Sequence, residues 1–515
     1  MNIEYSGFRR DLEVFQEMTG KFYNKEISMK EYKGFSGRYG SYAQRGQEKS
    51  MLRLRMTGGR ITMDKLKFIV DSIQSEHINQ VHFTTCQAVQ FHNLEQSSVS
   101  KLMLEALEHG IVTWGGGGDY PRNVMMSPLS GVEKGEHFDV SHYAQAAEDY
   151  LLSLIDQIKL PRKLKVAFAN SPLNEPHVTF RDLGFMATSN GTFDVYSAGG
   201  LGNNPKMGIC VEKDISPSKI LYYIKAMIDT FIANGNYESR GKSRTRYMQD
   251  TLGEDGYIEA FHKSLSAITE IGIALDLPPL IEDVFKKGTN AALAHRRIIE
   301  QKQPGLYAVS YHPIGGTPPV ETLSQLYHTI KDMKQVELRL TPDQGVYIIN
   351  CNSEEAQQVL DITHDGAETI FESSVACIGA SICQIGIRDS QKLLNTLVTQ
   401  LKTYHFADGV LPQIHISGCP SSCGTHQIGQ IGFHGGVKMI DKTPCPAFTL
   451  HINGASMEGL EKFGEQLGVM LESDIPLFLA ALGETIQVQK TSFDKWLPEH
   501  LNDLKEIALP FMIVS

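Results

Sequence analysis

The chain has 515 residues, 41% of them hydrophobic, and a formal net charge of −11. This composition supports a large buried core and excludes global disorder. The acidic balance argues against a nucleic-acid partner, and no run reaches the roughly 18 apolar residues of a membrane span. The opening MNIEYSGFRRDLEVF carries no apolar signal core, so a cytoplasmic location is expected. In that compartment the eight cysteines read as ligands or thiols and not as a disulfide framework.

In chain order, residues 51–94 read strand, glycine turn, helix, strand, turn, strand, and residues 306–351 repeat the pattern. Gly58, Gly59, Thr84 and Gln87 match Gly315, Gly316, Thr341 and Gln344, all at an offset of 257. SHYAQAAEDYLLSLIDQI predicts a helix with Ser141 as its N-cap. Its apolar stripe is Tyr143, Ala147, Tyr150, Leu151, Leu154 and Ile155. A fainter duplication aligns Leu160-Pro161 of LPRKLKVAF with Leu411-Pro412 of LPQIHISGC, followed by Gly199-Gly200 and Asn453-Gly454. RDSQKLLNTLVTQLKTY predicts a second amphipathic helix, and the tail from Phe493 caps the core. Strands and helices are interspersed without a sustained βαβ series, so the class is α+β. Polar or Gly/Pro-bearing stretches at 132–140 and 297–305 mark boundaries.

ACIGASICQIG sets Cys377 and Cys383 five residues apart, and ISGCPSSCG sets Cys419 and Cys423 three apart. Four thiolates suit zinc or an iron–sulfur cluster. The wide first gap and the lack of a second short pair favour Fe–S. Glycine and proline in G-C-P-x-x-C-G make a turn that lets backbone approach closely.

The two cysteine pairs, with RLRMTGGRIT, QAVQFH, GDYPRNV and LPRKLK in that order, resemble the siroheme–[4Fe–4S] nitrite and sulfite reductase family. The resemblance spans nearly the whole chain. It implies a duplicated, pseudo-two-fold α+β fold with two ferredoxin-like halves and two lobes that bind siroheme and cluster. The expected units are 1–131, the N-terminal segment and first half; 132–300, the first lobe; 301–365, the second half; and 366–515, the cluster lobe with its tail. It implies [4Fe–4S] and siroheme cofactors on Cys377, Cys383, Cys419 and Cys423, with Cys423 also bridging to the siroheme iron.

Alternation along strands places Arg53 with Arg55, Gln90 with His92, and Lys163 with Lys165 on common faces. By resemblance, Arg55, Arg122, Lys163 and Lys165 surround a small anion, while Arg53, Gln90, His92, Arg244 and Arg246 hold the macrocycle. At the 257 offset Arg53 and Arg55 become Ser310 and His312, and Gln90 and His92 become Tyr347 and Ile349. That loss of charge predicts one anion site, built mainly by the first half.

Three positions depart from the family pattern: Cys86 where arginine is usual, Ser421 for asparagine, and Asn453 in the late glycine-rich block. The resemblance implies six-electron reduction of a small oxyanion, and the Lys163–Lys165 pair resembles the sulfite pattern more than the nitrite one. No G-x-G-x-x-G opens a helix after a strand, and GGGG at 115–118 reads as a loop. Electrons are therefore expected from an external carrier such as ferredoxin. The competing readings are a precorrin-type tetrapyrrole monooxygenase and a non-catalytic Fe–S electron-transfer protein.

Overall fold

The computed structural model describes residues 6–278, 284–289 and 292–513. Among the described residues, four mixed or antiparallel sheets carry the fold. In the first half, strands Ser41–Ala43, Ser50–Leu54, Val89–Leu94 and Val81–Phe83 lie side by side. In the second, Ile298–Glu300, Tyr307–Tyr311, Val346–Cys351 and Glu337–Leu340 adopt the same order, extended by Arg60–Ile61 from the first half. Ile61 pairs with Leu338, so the two halves share a sheet as well as a core.

The 257 offset survives in detail. Ser50–Leu54 and Tyr307–Tyr311 correspond end to end, as do Val89–Leu94 and Val346–Cys351. Helices Met63–Ser75 and Val320–Ile330 bury Leu66, Ile69, Ile73 and Leu323, Leu326, Ile330, one stripe each at helical spacing. Each such buried side chain stabilises the fold by about 1.5–3 kcal/mol. Gly58 and Gly315, at φ 57° and 59°, turn the chain left-handed where a side chain would strain it.

The matched glutamines explain their own presence. Gln87 Nε2 donates to Met126 O (2.9 Å) and Leu340 O (2.7 Å), and its Oε1 accepts from Met126 N (3.0 Å). Gln344 Nε2 donates to Ala376 O (2.9 Å) and Phe83 O (3.2 Å), and its Oε1 accepts from Ala376 N (2.8 Å). Each amide thus ties one half to the other and to the first strand of a lobe.

The first lobe orders its strands Ile209–Ile215, Phe193–Ser197, Leu183–Ala187, Val166–Ala169, Met125–Met126; its sheet therefore starts ahead of residue 132. The second orders Val375–Ala376, Ile414–Ser417, Ile431–Ile440, Thr443–Ile452, Glu465–Leu471. Registers fix the correspondence: Val166 pairs with Leu183 as Ile414 pairs with Ile431, an offset of 248. The alignment expected from the two Leu-Pro pairs is three residues out of step. Lys165 therefore matches Gln413, and Lys163 matches Leu411. The later landmarks shift too: Ala198 (φ 60°), and not Gly199, answers Asn453 (φ 62°).

Ser141 is not an N-cap. Helix Ser141–Ser153 begins on it after Val140, and Asp139 Oδ1 accepts from Ser141 N at 2.9 Å. The helix stops before Leu154 and Ile155, which still pack inward from the turn beyond. Helix Ser390–Leu401 is capped by Asp389. No helix among the described residues is long and apolar enough to cross a membrane.

Candidate functional site

One cavity, with about 1450 Å³ of atom-free space, lies where the first half meets both lobes. Its walls include Cys377, Cys383, Cys419 and Cys423 on one side and Arg53, Arg55, Gln90, Arg122, Lys163, Lys165 and Arg244 on the others. His92 and Arg246 are not among the lining residues.

The cysteines sit past the carboxyl ends of the parallel strands Val375–Ala376 and Ile414–Ser417, the end at which ligands bind in such sheets. The loops are held by backbone contacts. Cys377 Sγ accepts from Gly418 N (3.1 Å), and Arg45 Nη2 donates to Cys383 O (3.1 Å) and Gly386 O (2.7 Å). A Cβ on Gly418 would stand 2.4 Å from Arg388 O, and one on Gly424 2.1 Å from Ile416 O. That closeness is why glycine brackets the C-P-S-S-C turn. Desolvation by the cavity walls and the neighbouring sulfurs push the Cys423 thiol up to about 12, and burial raises Cys377. Ionising these thiols together therefore needs a bound cation.

The four cysteines are free. They do not close to the spacing of a single metal ion: among the described residues, only His426, His434 and His451 bring three ligand atoms within 4.8 Å of one another. Four thiols lining one cavity are the donor set of an iron–sulfur cluster.

The cationic walls are built from buried guanidiniums. Arg55, 3% exposed, pairs with Glu148 (2.7 Å) and donates to Pro121 O (2.8 Å). Its positive charge is largely compensated. Arg122 Nη2 donates to Gly118 O (2.7 Å), and Arg53 and Arg122 both reach Gly116 O. The GGGG loop is thus the seat of two arginines; a Cβ on Gly117 would lie 2.4 Å from Gly37 O. With its amide oxygen turned to Arg53, Gln90 accepts from Nη2 (2.6 Å) and Nε (3.1 Å). Arg244 Nη2 grips both oxygens of the fully buried Asp182 (3.1 and 3.0 Å), which also accepts from Lys165 N (2.8 Å) and the Thr245 hydroxyl.

Lys163 and Lys165 lie just before strand Val166–Ala169, and neither amine has a carboxylate within ion-pair distance among the described residues. Burial and the surrounding cations push both below the usual amine range. Cys86 faces Lys165, and Lys165, Arg181 and Lys163 hold its thiol down at about 6 against the opposing effect of burial.

Several N–H groups in this cavity have no partner: Arg55 Nη2, Arg122 Nε and Arg244 Nε, beside the equally orphaned Asn123 Oδ1 and Ser422 Oγ. Buried donors are normally satisfied. These fit a bound group rich in acceptor oxygens, as the carboxylates of siroheme would be.

His92 lies behind this surface, 2% exposed, with Nδ1 3.3 Å from Gln44 Oε1 and its ring against His82. His82 is the histidine that lines the cavity. Arg246 donates to Asn203 O (2.6 Å) and Asn204 O (2.8 Å), bracing the glycine loop after strand Phe193–Ser197. Sequence reasoning missed Arg181, His82 and Asp182. Arg181 follows a short 3-10 turn, so no strand alternation marks it. Of the departures, Cys86 and Ser421 line this cavity, while Asn453 lines another.

Residues 42–109 match the nitrite/sulfite reductase ferredoxin-like half domain, and residues 117–268 the nitrite and sulphite reductase 4Fe-4S domain. The chain is 25% identical over 404 residues to a ferredoxin–nitrite reductase of Synechococcus elongatus, covering 75% of this chain and 76% of that one. It is 25% identical over 437 residues to a ferredoxin-type sulfite reductase of Mycobacterium tuberculosis, covering 81% and 74%. The solved structure of the Mycobacterium tuberculosis NirA protein shares the fold, with a TM-score of 0.78 at 21% identity over 96% of this chain and 95% of that one. Residues 42–109 and 117–268 thus carry two domains of the nitrite and sulphite reductase family, on a duplicated fold.

Proposed function

We propose that this oxidoreductase reduces sulfite to sulfide, a six-electron reaction, in the cavity where four cysteines face Lys163, Lys165 and Arg122. That juxtaposition is the observation that carries the reading. A siroheme and a [4Fe–4S] cluster held here would supply the electrons for the reduction. Cys377, Cys383, Cys419 and Cys423 would hold the cluster, with Cys423, the most exposed of the four, facing the macrocycle. Arg53, Gln90 and Arg244, together with Arg181, would meet its carboxylates; His92 and Arg246 would act from behind.

On the substrate side, Lys163, Lys165 and Arg122 bind the anion by charge-assisted hydrogen bonds. Arg55, neutralised by Glu148, contributes direction more than net charge. Amines lowered from their usual range by burial give up protons readily, which suits the departure of oxygen as water. Two amines without a carboxylate partner favour a dianion over a monoanion, which is the basis for preferring sulfite to nitrite. Electrons would come from ferredoxin or a similar small carrier docking outside the cysteine loops.

The test is an anaerobic assay with reduced viologen, comparing kcat/KM for sulfite and nitrite. A higher value for sulfite supports the assignment. A higher value for nitrite removes the lysine pair as the determinant of specificity. Inactivity on both anions, in protein loaded with cluster and siroheme, overturns the reductase reading and favours electron transfer alone.

A further inference from the structure

A second donor cluster lies in the cysteine lobe, beside Ser417 and outside the lining of the cavity. His426 follows the cysteine turn, His434 stands on strand Ile431–Ile440 and His451 on strand Thr443–Ile452. Their ring centroids are 4.9, 4.8 and 5.1 Å apart, and no pair is stacked flat. One ligand atom from each lies within 4.8 Å of the others, and His434 Nδ1 is 2.9 Å from His451 Nε2. A tetrahedral ion with bonds of about 2.0–2.1 Å holds its nitrogens about 3.3 Å apart, so small rotations of the rings suffice.

The first lobe shows what the fold places here when no ligand is involved. At the 248 offset His426 and His434 correspond to Val178 and Met186. His451, paired to Gly432 as Tyr196 is to Gly184, corresponds to Tyr196. Val178 and Met186 are fully buried, and with Tyr196 they form a small apolar cluster. The close approach beneath is the same in both lobes: a Cβ on Gly184 would strike Val178 O, and one on Gly432 would strike His426 O. All three apolar positions are histidine in the second lobe. A single buried histidine is ordinarily a satisfied core residue; three that replace one apolar cluster are a donor set.

The surroundings orient one of the rings for ligation. Ser417 Oγ accepts from Gly424 N (3.0 Å) and lies 2.9 Å from His426 Nδ1; with Nδ1 donating to it, Nε2 is left to take an ion. Gly464 packs against His451, where an added Cβ would stand 3.4 Å from the His451 Cβ. Burial pushes all three rings below the usual histidine range, and an ion would replace the hydrogen bond that His434 and His451 now share. His426 and His451 are buried while His434 is partly exposed, so the fourth position opens toward solvent.

We propose that His426, His434 and His451 form a three-imidazole site for a divalent first-row ion, zinc foremost, completed by water and distinct from the four cysteines. The ion would tie both long strands of the lobe to the turn that carries Cys423, with Ser417 common to both structures.

The holoenzyme is equilibrated with zinc chloride, passed over a chelating resin, and its zinc and iron are counted per chain by mass spectrometry. One zinc per chain is expected, with zinc-edge X-ray absorption showing imidazole nitrogens at about 2.0–2.1 Å and no sulfur. His434→Met and His451→Tyr, which install the side chains of the first lobe, should each lose the zinc and keep the iron. Sulfur scattering at about 2.3 Å would place the zinc on cysteines and overturn the proposal. So would failure to retain zinc, or full retention in both variants. The absorption spectrum of the unsubstituted protein decides the matter even if a variant folds poorly.

Discussion

Glu175 and Cys423 occupy the same position in the two lobes, related by the 248 offset. Their turns match residue for residue: Asn174 and Ser422 have φ of 50° and 55°, and His177 and Thr425 have φ of 58° and 55°. Glu175 lines a second cavity with His177, Asp343, Gln413 and His415. There Asp343 stands for Cys86 at the 257 offset, and Gln413 for Lys165. The duplication therefore built two cavities, and the sequence equipped one with thiols and amines and the other with carboxylates.

The second cavity should hold no tetrapyrrole. Protein reconstituted with excess siroheme is expected to bind one per chain; a second equivalent surviving gel filtration would contradict the charge argument. Glu175 offers a finer check. Burial and the nearby Asp343 raise its carboxyl from 4.5 to about 8. The folded chain then keeps a proton that the unfolded chain releases, so stability declines as pH rises from about 4.5 through about 8. Glu175→Gln should match the parent at pH 4 and melt a few degrees higher at pH 8. Equal melting points at pH 8 would mean that the carboxyl is not held in this way.

Lys165→Met isolates the substrate wall. The Lys165 backbone N–H keeps its bond to Asp182, and Asp182 keeps Arg244, so the framework does not depend on the amine. Turnover should fall about a hundredfold, the usual cost of removing one positioned donor. Iron and siroheme content should stay unchanged. Undiminished turnover in fully loaded protein would remove Lys165 from the reaction.

Much of this was legible in the chain. The 257 offset stood out because Gly58, Gly59 and Gln87 are held by backbone geometry and buried hydrogen bonds that few other residues satisfy. The cysteine pairs stood out by their spacing; the paired cations reach the cavity although Lys163 and Lys165 lie just before their strand and Arg55 just past the end of its own, so strand alternation does not account for them. The lobe duplication was misread by three residues because its true markers are turn conformations at Asn174 and Ser422, whose residue types differ. Arg181 and Asp182 were missed because their roles come from tertiary contacts at a 3-10 turn, where no periodicity applies. His92 falls outside the cavity lining because alternation fixes the face and not the reach along the strand: it shares the face of Gln90 but packs against His82 and Gln44.

Cys86 should be the reactive thiol of siroheme-free protein. Its thiol is held down at about 6 by Lys165, Arg181 and Lys163, whereas burial pushes Cys351 up to about 12. Iodoacetamide labelling followed by peptide mapping should show Cys86 modified with a midpoint near pH 6 and Cys351 unmodified. In Lys165→Met the midpoint should move toward the ordinary thiol value of 9.0. Because the folded value is depressed, the thiolate's stabilisation is complete above 9.0 and is lost as pH falls through about 6. A midpoint that ignores the lysine would show that the two groups do not interact.

Gln87 and Gln344 test whether the pseudo-two-fold axis is energetically symmetric. Each amide satisfies buried backbone on a lobe strand and on the opposite half, so alanine strands a buried N–H and carbonyl in either case. Each substitution should cost about 1–3 kcal/mol for the unsatisfied groups. The functional cost should differ. Met126, held by Gln87, follows the segment that carries Arg122 and Asn123, whereas Ala376, held by Gln344, immediately precedes Cys377. Gln344→Ala should therefore lower cluster retention, read as iron per chain after aerobic gel filtration. Gln87→Ala should keep its cluster and weaken anion binding, read as a raised KM. If both variants lose iron equally, the clamps act on the whole fold and not on the separate walls of the cavity.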